Sequence, residues 1–139
     1  MVKWDLSKLY KSYDSKEFQN DVLKIDDYIL QINSFKERFS SDEEASIIVE
    51  DFLKLEIEIQ NHIGRVYTYV SLQQSTNTTD QESGKYSVIL QKKFTEFTVT
   101  SILFTKFLSS LENIEDLINS SEFLKEHAFY IKEIIFIVE

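Results

Sequence analysis

The chain has 139 residues, 42% of them hydrophobic and 28% charged, which is typical of one soluble globular domain. Its net charge of −9 argues against nucleic acid or an anionic membrane as a partner, because both select clustered Lys and Arg. The lack of cysteine excludes disulfides, thiol catalysis and cysteine metal sites, and the lack of proline with only two glycines favours long helices over a sheet.

The N-terminal segment, residues 2–13, is rich in aromatic and aliphatic side chains that we expect to pin it to the domain. These side chains are Trp4, Leu6, Leu9, Tyr10 and Tyr13. The segment lacks the apolar core of a signal peptide, and the longest apolar run, residues 134–138, is far shorter than the ~20 residues of a membrane span. The sequence therefore predicts a cytoplasmic protein that does not bind membranes.

A first long helix is predicted to begin after Asp14 or Ser15, either of which can cap it, and to run to about Phe39. Its apolar residues recur at helical spacing. They are Phe18, Val22, Ile25, Ile29, Ile32, Phe35 and Phe39.

A second helix is predicted from a capping box formed by Ser41 and Glu44 to about Ser75, which makes it roughly 50 Å long. Its apolar row contains Ala45, Ile48, Phe52, Leu55, Ile59, His62, Val66 and Tyr69. Gly64 lies inside it at a cost of about 1 kcal/mol relative to alanine. Gly64 indicates either that another helix crosses closely at this position or that the helix simply tolerates a glycine there.

A polar cluster, residues 75–79, predicts the turn into a third helix, with Thr79 as N-cap and Glu82 three residues later. The apolar row then continues through Tyr86, Leu90, Phe97, Phe104, Leu108 and Leu111. Residues 94–102 also alternate as a strand would, but the helical row passes through them and no second strand is available for pairing. We therefore predict a helix over residues 80–111 and an α-hairpin with the second helix, in an all-α bundle of about four main helices.

The C-terminal part is predicted to contain a short helical turn at residues 113–119 and a last helical segment, residues 122–139, capped by Ser120 or Ser121. Residues 128–138 are apolar on nearly every side, which predicts burial on every face and contact with a larger assembly. The alternatives are a terminal helix buried within this chain alone or a self-association patch that includes residues 134–138.

Residues able to do chemistry are few, and we assign no catalytic, cofactor-binding or metal-binding residue. His62 lies in an apolar row and is predicted to be a hydrogen-bonded core residue, while His127 is followed by apolar residues, and no H-E-x-x-H occurs. Most carboxylates lie off the apolar rows and are predicted to be solvated: Asp26, Asp27, Asp42, Glu43, Glu44, Glu50, Asp51, Glu56 and Glu58. Tyr67 and Tyr69 are predicted to belong to the core rather than to a ligand cage.

Two stretches resemble the N-terminal region of oligoendopeptidase F, a zinc metallopeptidase family of the thimet-oligopeptidase type. Residues 4–10 (W-D-L-S-K-L-Y) and the following residues 11–14 (K-S-Y-D) resemble its W-D-L-x-x-L-Y start. Residues 65–72 (R-V-Y-T-Y-V-S-L) and 77–80 (N-T-T-D) are similar to its R-x-Y-x-Y-x-S-L and D-T-T stretch. The resemblance extends over about residues 4–130, and neither motif is catalytic.

The resemblance implies that the chain, residues 1–139, is one N-terminal helical domain of a longer enzyme that hydrolyses short peptides. In that family the zinc motif lies in a later catalytic domain, which would be the partner of this domain. The chain itself is expected to be inactive and metal-free, and to form a wall or cover of the channel that admits short peptides. After about Tyr130 the sequence departs from the family pattern, which leaves open a free-standing interaction module or the inactive remnant of a truncated peptidase gene.

Overall fold

The computed structural model describes residues 10–76 and 81–138, with side chains as far as Ile135. Within these ranges the protein is all-α, without a strand, and its long helices pack against one another, so the predicted fold class is confirmed. The helical segments are α1 (Lys16–Asn33), α2 (Phe35–Arg38), α3 (Ala45–Thr76), α4 (Gln81–Ser109), α5 (Ile114–Asn119), α6 (Glu122–Glu126) and α7 (Ala128–Val138).

The chain divides into two compact units, each assembled from separate stretches of the sequence. Unit 1 comprises Met1–Leu30 and Ile57–Glu96, and unit 2 comprises Gln31–Glu56 and Phe97–Glu139. Helices α1, α3 and α4 each contribute residues to both units.

Helix α1 begins where the sequence predicts, because the Ser15 hydroxyl accepts a hydrogen bond from the Phe18 amide at 3.3 Å. The prediction of one continuous helix to Phe39 is wrong, since α1 ends at Asn33 and α2 follows separately. At the break, the Ser34 hydroxyl donates to the Gln31 carbonyl at 2.6 Å. A serine that bonds locally to the backbone competes with the helical hydrogen-bond pattern.

Helix α3 begins at Ala45, so the predicted capping box at Ser41 is wrong. The Ser41 hydroxyl instead donates to the Arg38 carbonyl at 2.7 Å and accepts from the Glu43 amide at 3.2 Å, within the preceding loop. The Arg38 guanidinium ties this loop to α3 by pairing with Glu43 and Asp51 at 2.8 and 2.9 Å.

The second and third predicted helices are confirmed as α3 and α4. Helix α3 ends at Thr76, one residue beyond the prediction, and α4 covers residues 94–102 without interruption. The proposed N-cap Thr79 lies outside the described residues. Of the two alternatives for Gly64, the structure agrees with a tolerated glycine rather than a close helix crossing, because an added Cβ at this exposed position meets no atom of the described residues within 4 Å.

The core of unit 1 is a cluster of aromatic rings contributed by the N-terminal segment, α1, α3 and α4. Its rings lie 5.0–5.5 Å apart, mostly edge to face, an arrangement that the charge distribution of aromatic rings favours. They belong to Tyr10, Tyr13, Phe18, Tyr69 and Tyr86. Tyr10 and Tyr13 are buried, as predicted, whereas Trp4, Leu6 and Leu9 lie outside the described residues.

The core of unit 2 is a second aromatic cluster, formed by phenylalanines of α2, α3, α4 and the residue that follows α2. Phe52 and Phe104 stack with ring centroids 4.0 Å apart, and both side chains are fully buried. The remaining rings of this cluster are Phe35, Phe39 and Phe107.

The C-terminal segment is interrupted at His127, which separates α6 from α7, so the prediction of a single helix over residues 122–139 is wrong. Ser121 caps α6 as predicted, accepting from the Leu124 amide at 3.3 Å. Burial of α7 on every face is also wrong, because Phe129 is 78% exposed and Tyr130 is 40% exposed. Ile131 is fully buried, so the part of α7 up to Ile135, whose side chains the structure describes, has a buried side and an exposed side.

Candidate functional site

Both histidines make hydrogen bonds to the backbone. His62 is buried, and its Nε2 lies 2.7 Å from the Asp21 carbonyl oxygen, so this nitrogen carries the proton and donates it. The prediction of a hydrogen-bonded core histidine is therefore confirmed. His127 lies with its Nδ1 2.8 Å from the Phe123 carbonyl oxygen, one helical turn earlier. The two imidazoles belong to different units.

Asp21 accepts hydrogen bonds from two side chains of unit 1. The Tyr10 hydroxyl donates to its Oδ2 at 2.6 Å, and the His62 ring donates to its carbonyl oxygen. Burial, followed by the bond to Asp21, raises the pKa of Tyr10 well above its ordinary value of 10.0. Tyr10 therefore stays protonated at neutral pH, and its hydroxyl acts as a hydrogen-bond donor that ties the N-terminal segment to α1.

Tyr28, which lies on α1, also donates a hydrogen bond from its hydroxyl to a carboxylate. Its hydroxyl donates to Glu58 Oε1 at 3.1 Å, and its ring stands edge-on to His62. Burial, followed by the hydrogen bond to Glu58, raises its pKa. Its hydroxyl joins α1 to α3, and like Tyr10 it remains protonated at neutral pH.

The two predicted core tyrosines of α3 have different environments. Tyr69 is 1% exposed and belongs to the aromatic cluster of unit 1, as predicted. Tyr67 is 46% exposed, with its ring centroid 5.9 Å from that of Phe94, so its assignment to the core is wrong. It lies 200° around the helix from Tyr69, at 100° per residue, and therefore cannot share its face.

The carboxylates are on the surface at most of the predicted positions, with Glu56 as the main exception. Its side chain is partly buried on α3, and the Tyr130 hydroxyl of α7 donates to its Oε1 at 2.8 Å. Burial raises the pKa of Glu56 above its ordinary value of 4.5, and the bond from Tyr130 partly opposes that rise. In the described residues, no three His, Asp or Glu side chains are arranged to hold a metal ion.

The apolar row predicted for the third helix did not include the buried polar residues of α4. Ser83 and Thr100 are fully buried, with Ser83 Oγ 2.6 Å from the Tyr13 hydroxyl and Thr100 donating to Asn33 Oδ1 at 2.7 Å. The sequence could have indicated their burial, because positions 83, 93 and 100 are spaced three or four residues from the members of the helical row that contains Tyr86 and Leu90. Polar residues that fall on an apolar row indicate internal hydrogen bonds.

No family model, no curated protein and no solved structure matches this chain. In addition, no helix within residues 10–76 and 81–138 combines the length and the apolar character needed to cross a bilayer.

Proposed function

We propose that this chain is the N-terminal helical domain of an oligoendopeptidase F-like zinc metallopeptidase that hydrolyses short peptides in the cytoplasm. In this proposal the domain forms a wall or cover of the substrate channel. The zinc ion, its ligands and the general base belong to the catalytic domain of the same protein, and this domain is inactive by itself.

One observation carries the proposal: one residue from each of the stretches that resemble the family is in contact with the other. Tyr10 belongs to the first stretch and Tyr69 to the second, and their rings pack edge to face with centroids 5.1 Å apart. Both side chains are buried, at 4% and 1% exposure. Because the resemblance falls on residues that form one core, it supports a shared helical fold in this region.

The structure also gives the proposed role a physical basis. A channel wall requires rigid elements and no reactive groups, and α3 and α4 are helices of 32 and 29 residues. The imidazole of His62 in α3 and the phenol of Tyr10 each donate a hydrogen bond to Asp21 of α1, and both bonds help to fix the packing of unit 1. Such a domain acts on catalysis by limiting which peptides reach the zinc.

The proposal is tested by expressing the complete reading frame that contains this chain and assaying cleavage of peptides of graded length, with and without a zinc chelator. We expect chelator-sensitive cleavage that is confined to short peptides. A matched protein without residues 1–139 is expected to lose that size limit, and adding the separate chain is expected to restore it. An unchanged size limit in the shortened enzyme would contradict the proposed role.

A second candidate function, a helical interaction module, is favoured by the exposure of Phe129 on α7. A large apolar side chain that is 78% exposed next to the half-exposed Tyr130 is suited to dock a partner helix. Light scattering of the isolated chain and of Phe129→Lys distinguishes the two. A monomer in both cases favours the peptidase domain, whereas oligomers that dissociate in the variant favour the module.

A further inference from the structure

The short segment that precedes α1, residues 10–13, contacts the rest of unit 1 in the manner of a bound peptide. Tyr10 and Tyr13 are only 4% and 6% exposed, whereas Lys11 and Ser12 between them are exposed to solvent. The segment belongs to no helix, since α1 begins at Lys16. Two buried aromatic side chains separated by exposed residues are typical of the anchors with which a peptide binds to a folded domain.

The first anchor, Tyr10, occupies a pocket with an aromatic wall and a hydrogen-bond acceptor. Its ring stands edge to face against Phe18 of α1 and Tyr69 of α3, with centroids 5.2 and 5.1 Å apart. Its hydroxyl donates to Asp21 Oδ2 at 2.6 Å, a bond that a phenylalanine could not make. The pocket therefore contacts both the ring and the hydroxyl group of a tyrosine.

The second anchor, Tyr13, has contacts of the same two kinds. Its ring also stands edge to face against Phe18 and Tyr69, with centroids 5.1 and 5.3 Å apart, and it stacks on Tyr86 of α4 at 5.0 Å. Its hydroxyl lies 2.6 Å from Oγ of Ser83, which is fully buried in α4. This pocket is therefore also suited to tyrosine.

The backbone of the segment is bound as well. Gln19 of α1 donates from Nε2 to the Tyr13 carbonyl oxygen at 2.6 Å, and the same nitrogen donates to the Tyr86 hydroxyl at 2.8 Å. A side-chain amide held in this way fixes the position of the peptide backbone relative to the two pockets. Every group that contacts the segment here belongs to unit 1.

We propose that α1, α3 and α4 of unit 1 form a binding site for peptides with two tyrosines separated by two residues, and that the chain's own residues 10–13 occupy this site. A tethered segment competes with any free peptide at an effective concentration in roughly the millimolar range. The segment is therefore an autoinhibitory contact that a free peptide has to displace. This inference does not depend on the proposed peptidase function.

The test measures binding of the peptide Y-K-S-Y-D-S, the sequence of residues 10–15, to the full chain by fluorescence anisotropy of a dye at the peptide's C-terminus. In the parent chain we expect no saturable binding at micromolar peptide, because the tethered segment competes. The variant Tyr10→Ala with Tyr13→Ala empties both pockets, and we expect it to bind the peptide saturably in the micromolar range. Absence of binding to this variant, when circular dichroism shows it to be folded, would overturn the proposal.

Two matched peptides test whether the hydroxyl groups are recognised. The peptide F-K-S-F-D-S retains both rings, and we expect the double alanine variant to bind it at least about tenfold more weakly, because it cannot form the bonds to Asp21 and Ser83. The peptide A-K-S-A-D-S is expected not to bind. Equal affinities for the tyrosine and phenylalanine peptides would indicate an apolar groove without tyrosine recognition and would overturn the proposal.

A second variant serves if the loss of both rings prevents folding. Tyr10→Phe with Tyr13→Phe keeps the rings, but its tethered segment lacks the hydroxyl groups and becomes a weaker competitor. We expect Y-K-S-Y-D-S to bind this variant more tightly than the parent chain. The matched control, Tyr67→Phe, makes the same change at a tyrosine of α3 that is 46% exposed, and we expect it to behave as the parent chain does. The same peptide affinity in the double phenylalanine variant and in this control would overturn the proposal.

Discussion

Individual polar residues in the interior of this protein are matched to partners, and this accounts for the role of its buried imidazole. No buried side-chain nitrogen or oxygen in the described ranges lacks a hydrogen bond. His62 is one of these matched groups, since its ring joins α3 to the Asp21 carbonyl of α1. Its position is explained by structure without invoking a metal or a reaction.

Replacing His62 tests this structural role. We expect His62→Leu to lower the free energy of unfolding by about 1–2 kcal/mol, because the donor to Asp21 is lost. His62→Gln retains an N–H donor and is expected to cost less. Urea denaturation followed by circular dichroism measures both, with His127→Gln as a control at the other histidine. An unchanged free energy of unfolding in His62→Leu would show that the hydrogen bond contributes little to stability.

Gly64 tests whether the middle of α3 is crowded. We expect Gly64→Ala to raise the free energy of unfolding by about 0.5–1 kcal/mol, because alanine restricts the unfolded chain and the site has room for a Cβ. Thermal and urea denaturation give the sign directly. A loss of stability would instead indicate a close helix crossing at this position.

At the scale of helices, apolar periodicity predicted the long elements well and their ends poorly. The rows through Phe52 and Phe104 correctly predicted α3 and α4, because such rows record which face meets the core. The break at Ser34 and the late start of α3 depend on hydroxyl groups that bond to the local backbone. The hydroxyl of a serine can bond to the local backbone within a loop, or it can cap a helix, and the sequence looks the same in both cases. The sequence alone therefore does not show which of the two occurs.

The polar contacts between helices were less predictable from the sequence than the helices themselves. Tyr130 meets Glu56 across 74 positions of sequence, and no local pattern relates the two. The contacts of α4 with α1 have a partial signal in the sequence, since Lys93 and Thr100 lie on a mainly apolar row. The partners of these residues became known only from the packing of α1.

The docking of α7 is tested by two adjacent aromatic residues. We expect Tyr130→Phe to reduce stability by about 0.5–1.5 kcal/mol, because it removes the hydrogen bond to Glu56. The control, Phe129→Ser, changes a side chain that is 78% exposed and is expected to stay within about 0.5 kcal/mol of the parent chain. Denaturant titration of both variants is sufficient. Equal effects at the two positions would contradict the described orientation of α7.

Glu56 predicts a pH dependence of stability. Burial raises its pKa in the folded state above the ordinary value of 4.5, so the folded protein holds this proton more tightly than the unfolded chain. Its contribution to stability is therefore present below about pH 4.5 and is lost as pH rises through the raised pKa. We therefore expect the free energy of unfolding of Glu56→Gln to increase, relative to that of the parent chain, as pH rises through the raised pKa of Glu56. A difference that stays constant with pH would contradict the burial of this carboxyl group.

At the scale of the whole molecule, we propose that the chain is one domain of a larger peptidase, and three observations of different kinds support this proposal. Tyr10 and Tyr69, one from each resembling stretch, are in contact, the described residues are all-α with long helices, and Tyr10 and His62 both make hydrogen bonds to Asp21. In this proposal the domain would contribute shape to the enzyme, and the bond-breaking chemistry would come from another part of the protein.

The most direct measurement is the nucleotide sequence of the gene through and beyond codon 139. The account predicts an in-frame continuation that encodes H-E-x-x-H and a later glutamate, the ligands and base of a zinc peptidase. A stop codon at that point, with no such motif downstream, would contradict it and would favour the interaction module or the gene remnant.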